Sequence, residues 1–168
     1  FVAAVEVRRR PELAGLPVVV GGRGDPTERA VVATASYAAR EHGVRSGMPL
    51  RVAARRCPDA VFLASDHPAY DAASAEVMGV LRGLTWAGDP VVLEVLGWDE
   101  AFLAPSRRAV AAQETGDAAA YAEAVRRAVL EATGLHCSVG VGDNRLQAKL
   151  AVELGKPRGV GVLRSEDW

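Results

Sequence analysis

The stretch Leu93-Glu-Val-Leu-Gly-Trp-Asp-Glu-Ala-Phe-Leu103 sets two apolar runs on either side of adjacent acids, Asp99 and Glu100. Short runs of this kind read as strands, here over 91–96 and 101–104, with the acids at the tip or shoulder of a hairpin. Before the hairpin, Tyr70, Ser74, Val77, Met78 and Leu81 fall on one face of a helix over 67–83. After it, a second helix over 117–133 carries Tyr121, Ala124, Val125, Ala128 and Val129. Asp117 is its candidate N-cap and Gly134 its stop. Leu135, Cys137, Val139 and Val141 then alternate as a half-buried strand does. A third helix over 144–154, capped by Asp143 or Asn144, and a strand at 160–163 complete the run. The order from residue 67 is that of an α+β, ferredoxin-like βαββαβ unit lacking only its first strand.

That strand is expected from residues preceding Phe1. Residues 9–66 then become an insertion, with strands at 18–20, 30–34 and 60–63 and short helices at 36–42 and 49–57. Pro58 ends the second of these helices. The segment 105–116 has no clear period and is expected to be a mobile connection.

A chain of 168 residues is one domain of ordinary size, or one with a small insertion. At 49% hydrophobic and 24% charged it is globular, so disordered and collagen-like classes are excluded. No apolar run approaches the roughly 18 residues of a membrane span, and no signal peptide opens the chain, so no membrane partner is expected. Cys57 and Cys137 make no disulfide framework, which fits a reducing, cytoplasmic setting. Twenty basic residues stand against 21 acidic ones, so any nucleic-acid footprint must be local. Only Lys149 and Lys156 are lysines; arginine supplies the other basic residues. The chain starts without methionine inside an apolar stretch and stops after Ser-Glu-Asp, so it reads as a fragment of something longer.

Adjacent acids in a turn are commonly just solvated. They are also hard-oxygen donors of the kind Mg²⁺ takes in ones and twos alongside substrate phosphates. Two are too few for a two-metal site, so a third acid is expected on the absent first strand. Tyr37 and Arg40, three apart on one helix face, are either surface groups or a phosphate clamp. Lys149 lies mid-helix and Lys156 follows that helix, where a cation favours the helix dipole in any case. Gly21-Gly22-Arg23-Gly24 fits a hairpin turn better than a phosphate loop. His42, His67 and His136 lack metal-ligand spacing with the cysteines, which read as buried apolar groups.

Taken together these segments resemble the Y-family of DNA polymerases, in its DNA polymerase IV (DinB-type) branch. The likeness is carried by Phe1-Val-Ala-Ala-Val-Glu6, by Thr34-Ala-Ser-Tyr-Ala-Ala-Arg40-Glu-His-Gly-Val44 with Arg45-Ser-Gly-Met48-Pro49, and by Gly97-Trp-Asp99-Glu100-Ala101. Ser138-Val-Gly-Val-Gly-Asp-Asn144-Arg-Leu-Gln-Ala-Lys149 and Lys156-Pro-Arg-Gly159 complete it. The resemblance implies a ferredoxin-like palm at 67–168 and a small fingers insertion at 1–66, with the palm's edge at 1–8. It implies template-directed nucleotidyl transfer from dNTP to a primer 3′-hydroxyl in translesion synthesis. Asp99 and Glu100 would hold Mg²⁺ (or Mn²⁺), and Thr34, Tyr37, Arg40 and Lys156 would bind the nucleotide. Arg145 and Lys149 are DNA-contact candidates. Primer–template DNA and dNTP are the implied partners, with a sliding clamp engaged through regions outside this chain. On its own the fragment is expected to be weakly active or inactive.

Three positions depart from the family pattern. Its first catalytic aspartate precedes the opening Phe and so lies outside these residues. The residue after that Phe is usually Phe or Tyr and gates the sugar; here it is Val2, which leaves rNTP use open. Trp98 replaces a smaller aliphatic residue before Asp99. The competing reading is a non-catalytic Y-family relative acting as an assembly or adaptor subunit, which retention of Asp99, Glu100, Tyr37, Arg40 and Lys156 argues against.

Overall fold

Helix α1 (Val2–Arg9) buries Glu6 completely in the computed structural model, which describes residues 1–167. A buried carboxylate persists only where hydrogen bonds and opposite charge replace water. The Tyr70 hydroxyl donates to Glu6 at 2.7 Å and the Arg10 guanidinium at 2.5 Å, with Arg9 at 3.5 Å. Arg9 also reaches Asp66 at 2.8 Å. This knot lies in the first of two compact units, Phe1–Ala72; the second is Ala73–Trp168. The sequence offered only an apolar stretch where α1 stands, because Phe1 supplies no side-chain cap to announce a helix.

The first unit holds a three-stranded sheet. Its strands are β1 (Val18–Val20), β2 (Thr34–Ala35) and β3 (Val61–Leu63), with β1 central. β2 runs antiparallel to β1 with Val19 opposite Ala35, and β3 runs parallel to β1. Helices α2 (Tyr37–Glu41) and α3 (Leu50–Arg56) enclose a core of Val19, Val32, Ala35, Ala39, Val44, Leu50, Ala53 and Cys57. The strand expected over 30–34 is narrower than its sequence pattern. Val32 donates its N–H to Met48 O at 2.7 Å, and Val31 bridges to Pro49, so pairing with β1 begins only at Thr34. Gly21–Gly24 therefore opens a long connection, not a tight hairpin turn.

Helix α4 (His67–Arg82) follows and runs on into the second unit. There Met78 and Leu81 meet Val125 and Val129 of helix α6 (Ala118–Thr133), with Leu93, Ala101 and Leu103 packed against them. Asp117 caps α6 through the Ala119 and Ala120 N–H groups, and Gly134 ends it in the left-handed conformation at φ 68°. The buried stripe of α6 runs through Ala122, Val125 and Val129; Ala124 is exposed.

A small hairpin absent from the expectation, β4 (Thr85–Trp86) with β5 (Asp89–Pro90), precedes the long one, β6 (Val92–Val95) with β7 (Ala101–Ala104). Segment 105–116 is likewise more ordered than its composition suggests. Ser106 caps helix α5 (Arg107–Ala111), and Arg108 forks onto Asp89 at 2.8 and 2.9 Å. Those bonds from Arg108, joined by the Ser106 hydroxyl, hold the Asp89 carboxyl below the usual range. A five-residue helix is too short to leave a readable period.

The second unit closes with strand β8 (Val139–Gly142), helix α7 (Arg145–Gly155) and strand β9 (Val160–Leu163), which pairs parallel to β8. Asn144 caps α7 by accepting the Gln147 N–H at 3.0 Å. The alternating run from Leu135 becomes strand only at Val139. β6–β7 and β8–β9 are separate two-stranded sheets. In the βαββαβ pattern the first strand joins these two pairs, and none of the described residues supplies it.

Burial and the Glu6 hydrogen bond push the Tyr70 hydroxyl up to about 12 from 10. The neutral phenol is thus favoured in the fold. Its contribution is whole below pH 10 and is lost as pH rises from 10 towards 12. Tyr70→Phe is expected to destabilise the protein by about 1–3 kcal/mol at neutral pH, since Glu6 loses a donor in a buried place. The gap from wild type should narrow across that alkaline window, as followed by denaturant titration. A gap independent of pH would remove Tyr70 ionisation from the account.

Candidate functional site

The β6–β7 hairpin turns through residues 96–100, closed by the Leu96 N–H donating to Glu100 O at 2.9 Å. Asp99 is exposed in that turn and Glu100 half-buried at its end. Opposite them stands one face of α7. Lys149 makes an ion pair with the Glu100 carboxylate. Arg145, one turn earlier, reaches Glu94 of β6 at 3.0 Å and lies 4.9 Å above the Phe102 ring. Both basic residues considered as DNA contacts therefore point at the hairpin's own carboxylates.

Glycine sets this arrangement. A Cβ on Gly140 would meet Ala148 O at 2.0 Å, and one on Gly161 would meet Ala151 O at 1.9 Å. Neither distance is compatible with a side chain, so the backbone of α7 lies directly on β8 and β9.

At the end of α7, Lys156 is exposed, with its ammonium 2.6 Å from Glu153. The loop that follows is gripped from α6. Arg126 donates through Nε to Cys137 O at 3.1 Å and through Nη2 to Arg158 O, while Nη1 pairs with Glu123 at 2.5 Å. The Arg158 N–H in turn donates to Ser138 Oγ at 2.9 Å. No sequence signal marked Arg126. An arginine in mid-helix reads as solvated, and its partners are backbone carbonyls 11 and 32 residues away.

In the first unit, Ser36 caps α2 through the Ala39 N–H, which sets Tyr37 and Arg40 on one exposed face. The Arg40 guanidinium lies 5.4 Å from the Tyr37 ring centroid, and its Nε donates to Ala35 O at 3.0 Å. Thr34 is half-buried in β2, opposite Val20. Val2, half-buried, is the first residue of α1. The expected phosphate and metal residues thus fall in two groups, Thr34, Tyr37 and Arg40 in one unit and Asp99, Glu100, Lys149 and Lys156 in the other.

Among the described residues no cluster of three or more His, Cys, Asp or Glu could enclose a metal ion. The donors at 99 and 100 are carboxylate oxygens open to solvent, a set that suits Mg²⁺, which keeps several of its waters. Cys57 and Cys137 are free thiols pushed up by desolvation, though Cys137 is only half-buried. No helix is long and apolar enough to cross a membrane among the described residues.

Comparison with known proteins gives consistent matches. The family model described as "impB/mucB/samB family" matches residues 1–153. DNA polymerase IV 2 of Mycobacterium bovis is 55% identical over 169 aligned positions, covering 100% of this chain and 46% of the relative. Among solved structures, DinB from Sulfolobus solfataricus is 30% identical with a TM-score of 0.82, over 99% of this chain and 46% of that one. Dbh DNA polymerase in its insertion ternary complex is 32% identical with a TM-score of 0.83, over 99% and 47%. The chain spans about half the length of the relatives it matches.

An exposed ion pair is worth about 0.2–1 kcal/mol, so Lys149 holds Glu100 weakly but competes with any cation there. Lys149→Gln is expected to tighten Mn²⁺ binding by roughly two- to fivefold, as read by the loss of free-ion signal in a paramagnetic resonance titration. Equal affinity in variant and wild type would show that metal does not bind at Glu100.

Proposed function

We propose, of a chain that belongs to the impB/mucB/samB family, the Y-family of DNA polymerases, that it forms the palm and fingers of a DNA polymerase IV-type translesion enzyme. In this reading residues 67–168 act as the palm and 1–66 as the fingers, with the palm's edge at 1–8. The reaction is template-directed: a primer 3′-hydroxyl attacks the α-phosphorus of a dNTP and pyrophosphate leaves. The observation that carries the reading is the pair of adjacent, solvent-accessible carboxylates, Asp99 and Glu100, in the hairpin turn of a chain from this family.

Asp99 and Glu100 would hold Mg²⁺ or Mn²⁺. Bound there, the metal would supply charge stabilisation at the attacking and leaving oxygens. The protein's own work is positioning. Arg40 offers a planar fork to phosphate oxygens, held in place by Tyr37 and the Ala35 carbonyl. Tyr37 and Thr34 add hydroxyl donors, and Lys156 adds a point charge. Orientation of this kind is most of what phosphoryl-type transfer asks of a protein. The near balance of 20 basic and 21 acidic residues leaves few phosphate contacts. Firm hold of primer–template DNA, and any sliding clamp, then depends on further parts of the protein.

Val2 decides sugar choice in this reading. The family's aromatic side chain stands where a ribose 2′-hydroxyl would project. Valine is shorter, and its β-branched stem is stiff. An apolar wall with a vacancy rejects an added hydroxyl by only about 10²-fold.

Primer extension by the protein at full length, with Mg²⁺ and either dNTP or rNTP, tests both levels. The expected result is templated extension with dNTP, appreciable extension with rNTP, and restored discrimination in Val2→Phe. No extension with dNTP would favour an adaptor. Strong sugar discrimination already present in the wild type would remove Val2 from the gate.

A further inference from the structure

We infer that Arg126 is a positioning residue for Lys156, acting through the loop 156–159 that it grips from α6. The inference rests on the reading of Lys156 as a ligand of the incoming triphosphate and deepens it. Among the described residues Lys156 makes an exposed contact with Glu153, which is too weak to fix an ammonium group. Its place is set by the backbone on either side.

On the near side, α7 ends at Gly155, where a Cβ would stand 2.6 Å from Gly161 N, so the helix terminus is pressed onto β9. On the far side, Arg158 adopts φ +60°, a left-handed conformation that a non-glycine residue holds only when its surroundings impose it. Three bonds impose it. The Arg158 N–H donates to Ser138 Oγ at 2.9 Å, its carbonyl accepts from Arg126 Nη2, and the next carbonyl, of Gly159, accepts from Val139 N at 3.0 Å. Arg126 adds the Cys137 carbonyl at 3.1 Å through Nε. One rigid guanidinium thus ties the segment entering β8 to the loop carrying Lys156. Its side chain is only 19% exposed, and Glu123 neutralises it at 2.5 Å. A lysine there would be a point charge without the planar fork, and could not hold both carbonyls in this geometry.

A misplacement of about 1 Å in a positioned group can cost up to 10²-fold. The test is steady-state single-nucleotide insertion by the protein at full length, with dNTP titrated against Arg126→Lys, Ser138→Ala, Lys156→Ala and the two doubles with Lys156→Ala. Arg126→Lys is expected to raise the dNTP KM by about tenfold, and Ser138→Ala by a smaller factor, with kcat nearly unchanged. Neither should add to the effect of Lys156→Ala, because no ammonium remains to be positioned.

Ser138→Ala loosens the same loop through the Arg158 N–H and leaves the Arg126 guanidinium in place, so it keeps the test open should Arg126→Lys unfold. If Lys156→Ala raises KM while Arg126→Lys and Ser138→Ala do not, or if their effects multiply fully with it, the positioning role is wrong and the phosphate assignment stands. If Lys156→Ala leaves KM unchanged, both fail, and the fault lies in the assignment of Lys156.

Discussion

Helix α7 lies on strands β8 and β9 with no space for side chains between the two backbones. At Gly140, Gly142, Gly155 and Gly161 an added Cβ would come within 1.9–2.6 Å of backbone or Cβ atoms across the contact. Interiors packed at crystal-like density have no slack for such an insertion. Much of the second unit's chemistry follows from this close approach. It fixes the level at which Arg145 and Lys149, one turn apart, meet the carboxylates of the β6–β7 hairpin. It also fixes where the helix ends, and so where Lys156 begins its loop. The repeated Val-Gly-Val-Gly of β8 is the sequence form of that constraint, valine for the strand and glycine for the helix laid over it.

Electrostatics then divide into two kinds. Glu6 is completely buried and held by Tyr70, Arg9 and Arg10, which makes it a structural anchor. Glu100 is solvent-accessible and held by one flexible lysine. Removing a partner from a buried charge costs several kcal/mol, whereas an exposed pair separates for about 1 kcal/mol or less. A carboxylate that must exchange partners suits the second setting. One that anchors a helix needs the first.

Much of this was legible in the sequence, for reasons that differ by element. The hairpin around Asp99 and Glu100, the caps at Asp117 and Asn144 and the stop at Gly134 are local signals, and the structure carries each. The order of the longer elements from α4 onward was readable because each long helix bears a buried stripe, whereas the small β4–β5 hairpin was not. Helix α1 was not: Phe1 gives it no side-chain cap, and one of the groups that hold its buried Glu6, Tyr70, lies 64 residues on. Helix α5 is too short for a period, and its anchor, Asp89, is remote in sequence. Arg126 belongs to the same class, since a side chain that binds backbone carbonyls leaves no residue pattern to find. The three-residue spacing put Tyr37 and Arg40 on one face of α2, and the guanidinium lies 5.4 Å from the ring centroid.

In the proposed reading the Asp99–Glu100 turn carries the chemistry of nucleotidyl transfer. The decisive experiment is single-turnover insertion of one nucleotide by Asp99→Asn, at saturating dNTP and primer–template, in the protein at full length. Asp99 is exposed, so the fold and the melting temperature should not change. The insertion rate should fall by on the order of a hundred- to a thousandfold if Asp99 holds the metal, with DNA affinity retained. Insertion at close to the wild-type rate would contradict it.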